Sequence, residues 1–413
     1  MKNTTGQRIL KLIENNPFPP DPRIRQQVRA LVAAGYEVTV ICPRGKRQPL
    51  YEMVDGCRVY RYPTPAQGDG LVGYLWEYGY SLVMAFLVSL WVFFRHGFDA
   101  IHIHNPPDVP VLIAAFYKLL GKRYVFDHHD LAPEMYYARF SGKGNPMVYK
   151  VLLMFEKLSC KLADHIIATN NSYKTLQMDR HGVAEERITI VRNGPELDRL
   201  KLVPPHPDLR RKASNIICFL GEMGVHDGVD YLLRSLKHLR DTLGQKDFYC
   251  IVMGRGDAVE DLKRLCSQLE LNDHVWFPGF VPDADLLSYV STADICVDPD
   301  PSNSFNDRCS MTKMSEYMAF SKPIVAFDLP EHRVTAREAA LYAVANDELD
   351  FARKLQLLME NPEMRLSMGK LGRERVDTVL SWSHQSKYLI QAYEQLFSRN
   401  HPRIPQTDGV QQP

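Results

Sequence analysis

The sequence predicts an α/β protein built from two doubly wound, Rossmann-like domains with a cleft between them. Three observations carry this expectation. At 413 residues the chain exceeds one ordinary domain of about 100–150 residues. Short apolar runs alternate with stretches of helical periodicity that end at glycine, the mark of βαβ units. A proline-bearing stretch, Leu202 to Leu209 (LVPPHPDL), breaks this alternation once, near the middle. The first domain is therefore drawn as residues 1–203 and the second as 204–399. Residues 400–413, polar and with three prolines, are expected to form a disordered tail.

In the first domain Ile9 to Ile13 reads as a buried strand, followed by a loop from Glu14 to Pro22. Arg23 to Ala34 follows as a helix with Ile24, Val28, Leu31 and Val32 on one face; it stops at Gly35, and Tyr36 to Cys42 is the next strand. Further strands fit Asp99–His104, Arg123–Phe126 and His165–Thr169. The second domain repeats the pattern with strands at Ile216–Leu220, Phe248–Met253, Val275–Phe277, Ile295–Val297 and Ile324–Phe327. Its first helix spans about Val229 to Leu239. Ligands of such sheets bind at the carboxyl ends of the strands, so the cleft is the place to look for chemistry.

Composition narrows the class. Hydrophobic residues at 45% and charged residues at 24% fit a well-buried globular core. Eight cysteines without a C-x-x-C pair argue against a zinc site or a disulfide framework and for a reducing compartment. The residues from Met1 to Arg8 are polar and lack a signal-peptide pattern. Net charge is +1 overall, but residues 1–200 hold 25 Lys+Arg against 19 Asp+Glu, leaving 25 against 30 in the rest. The basic front half suits an anionic lipid or polyanionic acceptor and is too modest for nucleic acid.

Residues 71–96 are assigned to membrane association. From Leu82 to Phe94 (LVMAFLVSLWVFF) Ser89 is the only polar residue among thirteen, too short for a span of about 20. Tyr74, Trp76, Tyr78 and Tyr80 precede it, with Arg95 and His96 after it, the pattern of a helix lying in one leaflet. A helix buried in the core is the alternative.

Candidate donor-binding residues concentrate in the second domain. Gly254-Arg255-Gly256 follows a strand and opens a helix, where small residues admit a nucleotide backbone; the same pattern also serves as a plain tight turn. Phe280 and Val281 leave another strand into a glycine loop whose backbone can pair with a base edge. Ser310 is expected to cap a helix from Met311 to Phe320. The amides of Ser310, Met311 and Thr312, with the Lys313 ammonium, would form a diphosphate site. Glu316, one turn deeper, would accept ribose hydroxyls; an intrahelical Lys313–Glu316 pair is the competing reading. In the first domain Arg23, after Asp21-Pro22, is placed to meet a phosphate or to sit solvated at a helix start. Asp298-Pro299-Asp300 has the look of a metal loop.

Several stretches together carry a resemblance. DPRIRQQVRALVAAGYEVTVICPRG, IHIHNPPD, FDHHDLAPEMYYARF, VRNGPE, GEMGVHDGVDYLL and NDRCSMTKMSEYMAFSKPIVAFDLPE resemble family 4 glycosyltransferases, retaining enzymes of the GT-B fold, in their exopolysaccharide and O-antigen branch. The resemblance runs to about Leu396. It implies a UDP- or GDP-sugar donor, no cofactor and no metal, and a polyprenyl-diphosphate-linked saccharide or other glycan as acceptor. It also implies a cytoplasmic enzyme, peripheral on the inner face of the cytoplasmic membrane. By the same resemblance His129 sits at the cleft near the transferred sugar, with Asp130 beside it. Two departures stand out. Arg308 occupies the first position of the family's E-x7-E pair, whose second member is Glu316, and Glu222 and Asp227 stand where an Arg and a Lys usually clamp the donor phosphates. That role is expected to pass to Lys313, the helix amides and Arg255 or Arg308. Two rival readings are a degenerate, non-catalytic binding module in a polysaccharide assembly complex and a nucleotide-sugar epimerase.

Overall fold

A computed structural model describes residues 6–65, 70–140 and 142–398. The tail assigned to 400–413, the residues before Gly6 and the side chain of Tyr74 lie outside the described residues.

The first sheet has eight strands: β1 (Arg8–Leu12), β2 (Glu37–Pro43), β3 (Tyr51–Val54), β4 (Cys57–Tyr62), β5 (Ala100–His104), β6 (Arg123–His128), β7 (His165–Ala168) and β8 (Ile188–Ile190). Their spatial order is β3-β4-β2-β1-β5-β6-β7-β8. The second sheet has six: β9 (Asn215–Glu222), β10 (Phe248–Arg255), β11 (Val275–Gly279), β12 (Ile295–Asp298), β13 (Ile324–Phe327) and β14 (Ala340–Ala343). They lie in the order β11-β10-β9-β12-β13-β14. All pairings are parallel except β3 with β4. The central strands are buried on both faces and are mostly apolar, with Lys11, His102, His104 and His165 as buried polar exceptions.

Sequence reading missed the short edge elements. β3 and β4 form a hairpin turning at Asp55-Gly56, both with positive φ (47° and 79°), the Asp-Gly signal of a tight hairpin turn. β8 and β14, of three and four residues, carry too little apolar sequence to stand out. The Ser310 cap is corrected: the helix spans Thr312–Ala319, Met311 is its N-cap residue, and no side chain caps it. Ser310 instead works across the domains, as shown below.

The membrane-assigned segment is longer than its apolar run suggested. It is one helix of 26 residues, Gly70–Arg95, because the aromatic-rich stretch before Leu82 continues the same helix. By length and composition Trp76–Arg95 is enough to cross a membrane, which overturns the expectation that the segment is too short. One face, Ser81, Ala85, Ser89 and Val92, is buried against the domain, with Ser89 Oγ 2.8 Å from the Tyr117 hydroxyl. On the opposite face Val83, Leu87, Trp91 and Phe94 recur every three or four residues and are exposed, Phe94 by 83%.

Residues 382–398, counted by sequence with the second domain, cross back to the first. The helix Trp382–Ser398 buries Leu389, Tyr393 and Leu396 in the core formed by Ile9, Ile24, Val28, Leu31 and Tyr36. Where this segment passes the interdomain linker, a Cβ on Gly194 would lie 2.1 Å from the Leu380 carbonyl oxygen, so only glycine fits. The two segments are also joined by Trp382 N to Pro195 O at 3.1 Å and Arg192 N to Gln385 Oε1 at 3.1 Å. Leu389→Ala removes a fully buried side chain from this crossing and should cost about 2–5 kcal/mol; a lowered urea midpoint for the first domain is the check.

Candidate active site

A cleft of about 560 Å³ opens between the two sheets. Its first-domain wall is the loop after β1 and the start of the helix Pro22–Ala33. The linker from Asn193 to Arg199 forms its floor, and the second domain contributes Glu222, Arg255, Thr312 and Glu316. These second-domain groups come from the carboxyl ends of β9 and β10 and the N-terminal half of the helix Thr312–Ala319, as a doubly wound sheet dictates.

Three guanidinium groups reach this cleft. Arg23 pairs with Asp21 at 2.8 Å, which also accepts the Arg23 amide and so starts the helix. Arg255 stacks over the Phe280 ring at 5.4 Å and has no carboxylate partner among the described residues. Arg199 bridges Glu316 and Asp283, each at 3.4 Å. Burial raises the Glu316 carboxyl above its ordinary range, and Arg199 works against that rise.

Of the sequence-predicted residues, Arg23, Arg255, Thr312 and Glu316 line the cleft. Ser310 and Met311 border a smaller adjoining cavity that shares Asn193, Gly194 and Thr312. There Ser310 Oγ takes hydrogen bonds from Asn170 and Arg192, at 3.0 and 3.2 Å, and donates to Glu331 at 3.1 Å, holding the two domains together. Arg308 turns its side chain to the Ser304 carbonyl and offers its own carbonyl to Asn170. Gly254 and Gly256 serve close packing of neighbouring loops: a Cβ at either would lie 1.7 or 2.3 Å from the carbonyl oxygens of Gly221 and Met223. Phe280 is exposed beneath Arg255, and Val281 packs toward the second-domain core.

Lys313 is where the structure differs most from expectation. Its ammonium is buried 2.6 Å from Asp300 and 3.2 Å from Asp298, facing away from Glu316. Despite burial, these carboxylates hold the ammonium above its ordinary range. Asp298 is correspondingly held below its usual value, and burial beside Asp298 pushes Asp300 well above. In the Asp298-Pro299-Asp300 loop both carboxylates thus lie against the Lys313 ammonium. The intrahelical Lys313–Glu316 pair does not form, because each has a partner from elsewhere in the fold. Glu222 stays on the cleft wall, and Asp227 accepts the Gly224 amide at 2.7 Å.

His129, expected at the cleft, is nearly buried and not among the residues that line it; it lies 3.3 Å from Asp127 and 3.1 Å from His104. Asn105 fixes this turn by accepting the His129 and Asp130 amides at 2.6 and 3.2 Å and donating to the Asp130 carbonyl at 2.6 Å. Arg199 is the residue that sequence reasoning missed. It lies just after the quoted VRNGPE stretch, and its partner Glu316 is 117 residues away.

Two facing doubly wound sheets with a charged cleft at their carboxyl edges make the GT-B architecture. A family model described as Glycosyltransferase Family 4 matches residues 23–199, and one described as Glycosyl transferases group 1 matches residues 206–375. Between them they account for most of the chain, which is a glycosyltransferase similar to family 4. Chitobiosyldiphosphodolichol beta-mannosyltransferase of Debaryomyces hansenii is 20% identical over 335 residues, 75% of this chain and 70% of the relative. Two solved structures share the fold. Sucrose-phosphate synthase of Thermosynechococcus elongatus has a TM-score of 0.77 at 20% identity, covering 95% of this chain and 100% of that one. Anabaena HepE in complex with UDP and glucose has a TM-score of 0.70 at 14% identity, covering 94% and 100%.

Replacing Lys313 with Met keeps the stem but leaves the buried Asp298 and Asp300 without their cation. The expected loss is about 3–5 kcal/mol, read as a lower denaturation midpoint. Arg255→Ala, at an exposed head group, should stay within about 0.5 kcal/mol of wild type in the same measurement.

Proposed function

We propose that the protein transfers a sugar from a UDP- or GDP-linked donor to a polyprenyl-diphosphate-linked saccharide at the inner face of the cytoplasmic membrane. The product is read as part of an exopolysaccharide or lipopolysaccharide, formed with retention. The observation that carries this reading is the cleft, which Arg23, Arg199 and Arg255 line together with Thr312, at the uncapped start of its helix, and Glu316. Breaking a sugar–phosphate bond builds charge on the departing diphosphate. Fixed cations and amides aimed at that charge lower the barrier, and no bound metal or cofactor is required for it. Because Lys313 is committed to Asp298 and Asp300, the arginines take the role that the family resemblance gives to a clamping Arg and Lys. Glu316 would exchange Arg199 for the ribose hydroxyls of the donor. His129 meets a sugar hydroxyl from the first-domain side, and closing the cleft excludes water that would hydrolyse the donor.

Two relatives support the substrate classes. The Debaryomyces relative is named for a lipid-diphosphate-linked acceptor, and HepE was solved with UDP and glucose. Retention and the polysaccharide branch rest on the motif resemblance. The membrane reading rests on the exposed stripe Val83, Leu87, Trp91 and Phe94. A face of this kind lies on a bilayer with its apolar side chains among the acyl chains.

Calorimetric titration with a panel of UDP- and GDP-sugars tests the donor site. One donor should bind the wild type, with Glu316→Ala and Arg255→Ala each weakening it by about tenfold, the loss of one charge-assisted contact. No binding of any donor to the wild type would overturn the reading. For the membrane, co-sedimentation with phosphatidylglycerol vesicles should retain the wild type and release a Trp91→Ser, Phe94→Ser double variant. Equal retention of both would remove the stripe from the mechanism.

A further inference from the structure

Beneath the cleft lies a buried polar array that the donor chemistry above does not use. Asp127, at the end of β6, is fully buried. Its Oδ2 accepts from Gln27 Nε2 and from His102 Nε2, both at 2.9 Å, with His104 Nδ1 at 3.2 Å. Its Oδ1 faces His129 Nε2 at 3.3 Å. Burial opposes ionisation, yet His129 and His104 hold the Asp127 carboxyl well below its ordinary range, so it is a carboxylate.

His102 is gripped from its other side. Its Nδ1 meets the Tyr393 hydroxyl at 2.6 Å and the Lys11 ammonium nitrogen at 3.3 Å. Burial lowers His102 to about 4, leaving a neutral ring with one proton. Burial also pushes the Tyr393 phenol well above its ordinary value, so the hydroxyl keeps its hydrogen and donates it to Nδ1. The single ring proton then sits on Nε2 and is given to Asp127. Every hydrogen in the array points the same way, from Tyr393 through His102 to Asp127. At its far end His129 Nδ1 is buried and has no partner among the described residues.

We propose that Tyr393 is a positioning residue for the transfer reaction: through His102 and Asp127 it fixes the ring of His129 and leaves Nδ1 of His129 as the atom offered to a sugar hydroxyl. The inference rests on the reading of His129 beside the transferred sugar. Its consequence is that the helix Trp382–Ser398, entered directly from the second domain, governs a group on the first-domain side of the cleft. The charged and titratable groups around His129 are Asp127 and His104 in contact, His102 and His128 behind them, Asp130 next in the chain, and Asp21 and Arg23 from the start of the helix Pro22–Ala33. Tyr393 touches none of these except His102, so its effect is transmitted by the array.

Tyr393→Phe in the full chain removes one oxygen and keeps the ring packed on Tyr36, 5.5 Å away. Two readouts apply. In ¹⁵N spectra of the histidine rings the wild type should show His102 protonated on Nε2; the variant should show mixed tautomers and displaced His129 signals. With the UDP- or GDP-sugar that binds in the panel above, kcat for donor hydrolysis should fall about tenfold at unchanged KM, the scale at which removing a supporting partner acts in other sites. His102→Gln should lower kcat in the same way and serves if Tyr393→Phe fails to fold. If His129→Ala keeps wild-type turnover, the placement of His129 at the sugar falls and the proposal with it. If His129→Ala loses turnover while Tyr393→Phe and His102→Gln keep wild-type turnover and unshifted His129 signals, the array alone is overturned.

Discussion

The shape of the cleft depends on one close passage of backbone. At Gly194 the linker leaving the first domain runs against the segment returning to it, close enough that a single methyl group would strike the Leu380 carbonyl. On one side of that passage the linker supplies Asn193 to Arg199 to the cleft floor. On the other, the returning chain becomes the helix that ends in the first-domain core. Because both segments are anchored in packed cores, the linker is held at each end, and the two sheet edges face one another at a set distance. Ser310, with partners in both domains, sits beside this seam and reinforces it.

Around that frame the charges are arranged by burial. The deepest cations, Lys11 and Lys313, are consumed internally: burial lowers Lys11 to about 7 among Gln27, His102 and Asp127, and Lys313 is held between Asp298 and Asp300. What remains for an anionic substrate is the shallower set of arginines. Arginine suits that position, since its planar fork binds phosphate with two bonds and stays charged in a partly dry site. The carboxylates at Glu222 and Asp227 are compatible with such a site because other groups meet the diphosphate. The Asp227 carboxylate is engaged with a backbone amide of its own loop.

Much of the architecture was legible from residue order. Buried parallel strands are mostly apolar, and the helices between them have to stop, so the central strands of both sheets followed from pattern alone. The edge strands did not: β3 and β4 announce themselves only through Asp55-Gly56, and β8 and β14 are too short to carry a period. The membrane-assigned helix was half visible, because its apolar part was read and its aromatic first half was taken as flanking sequence.

The sequence by itself determined the fold class, because local periodicity and turn chemistry act between neighbours in the chain. Of the residues it singled out, Arg23, Arg255 and Thr312, each at the end of a strand or the start of a helix, line the cleft with Glu316 one turn further on. Only the tertiary structure decided how charges pair. Lys313 chose Asp298 and Asp300 over Glu316, and Arg199 reached Glu316 across 117 residues. Tyr393 came to rest on His102, 291 positions away. Such pairings are settled by which groups burial brings together without water, and sequence spacing holds no record of that.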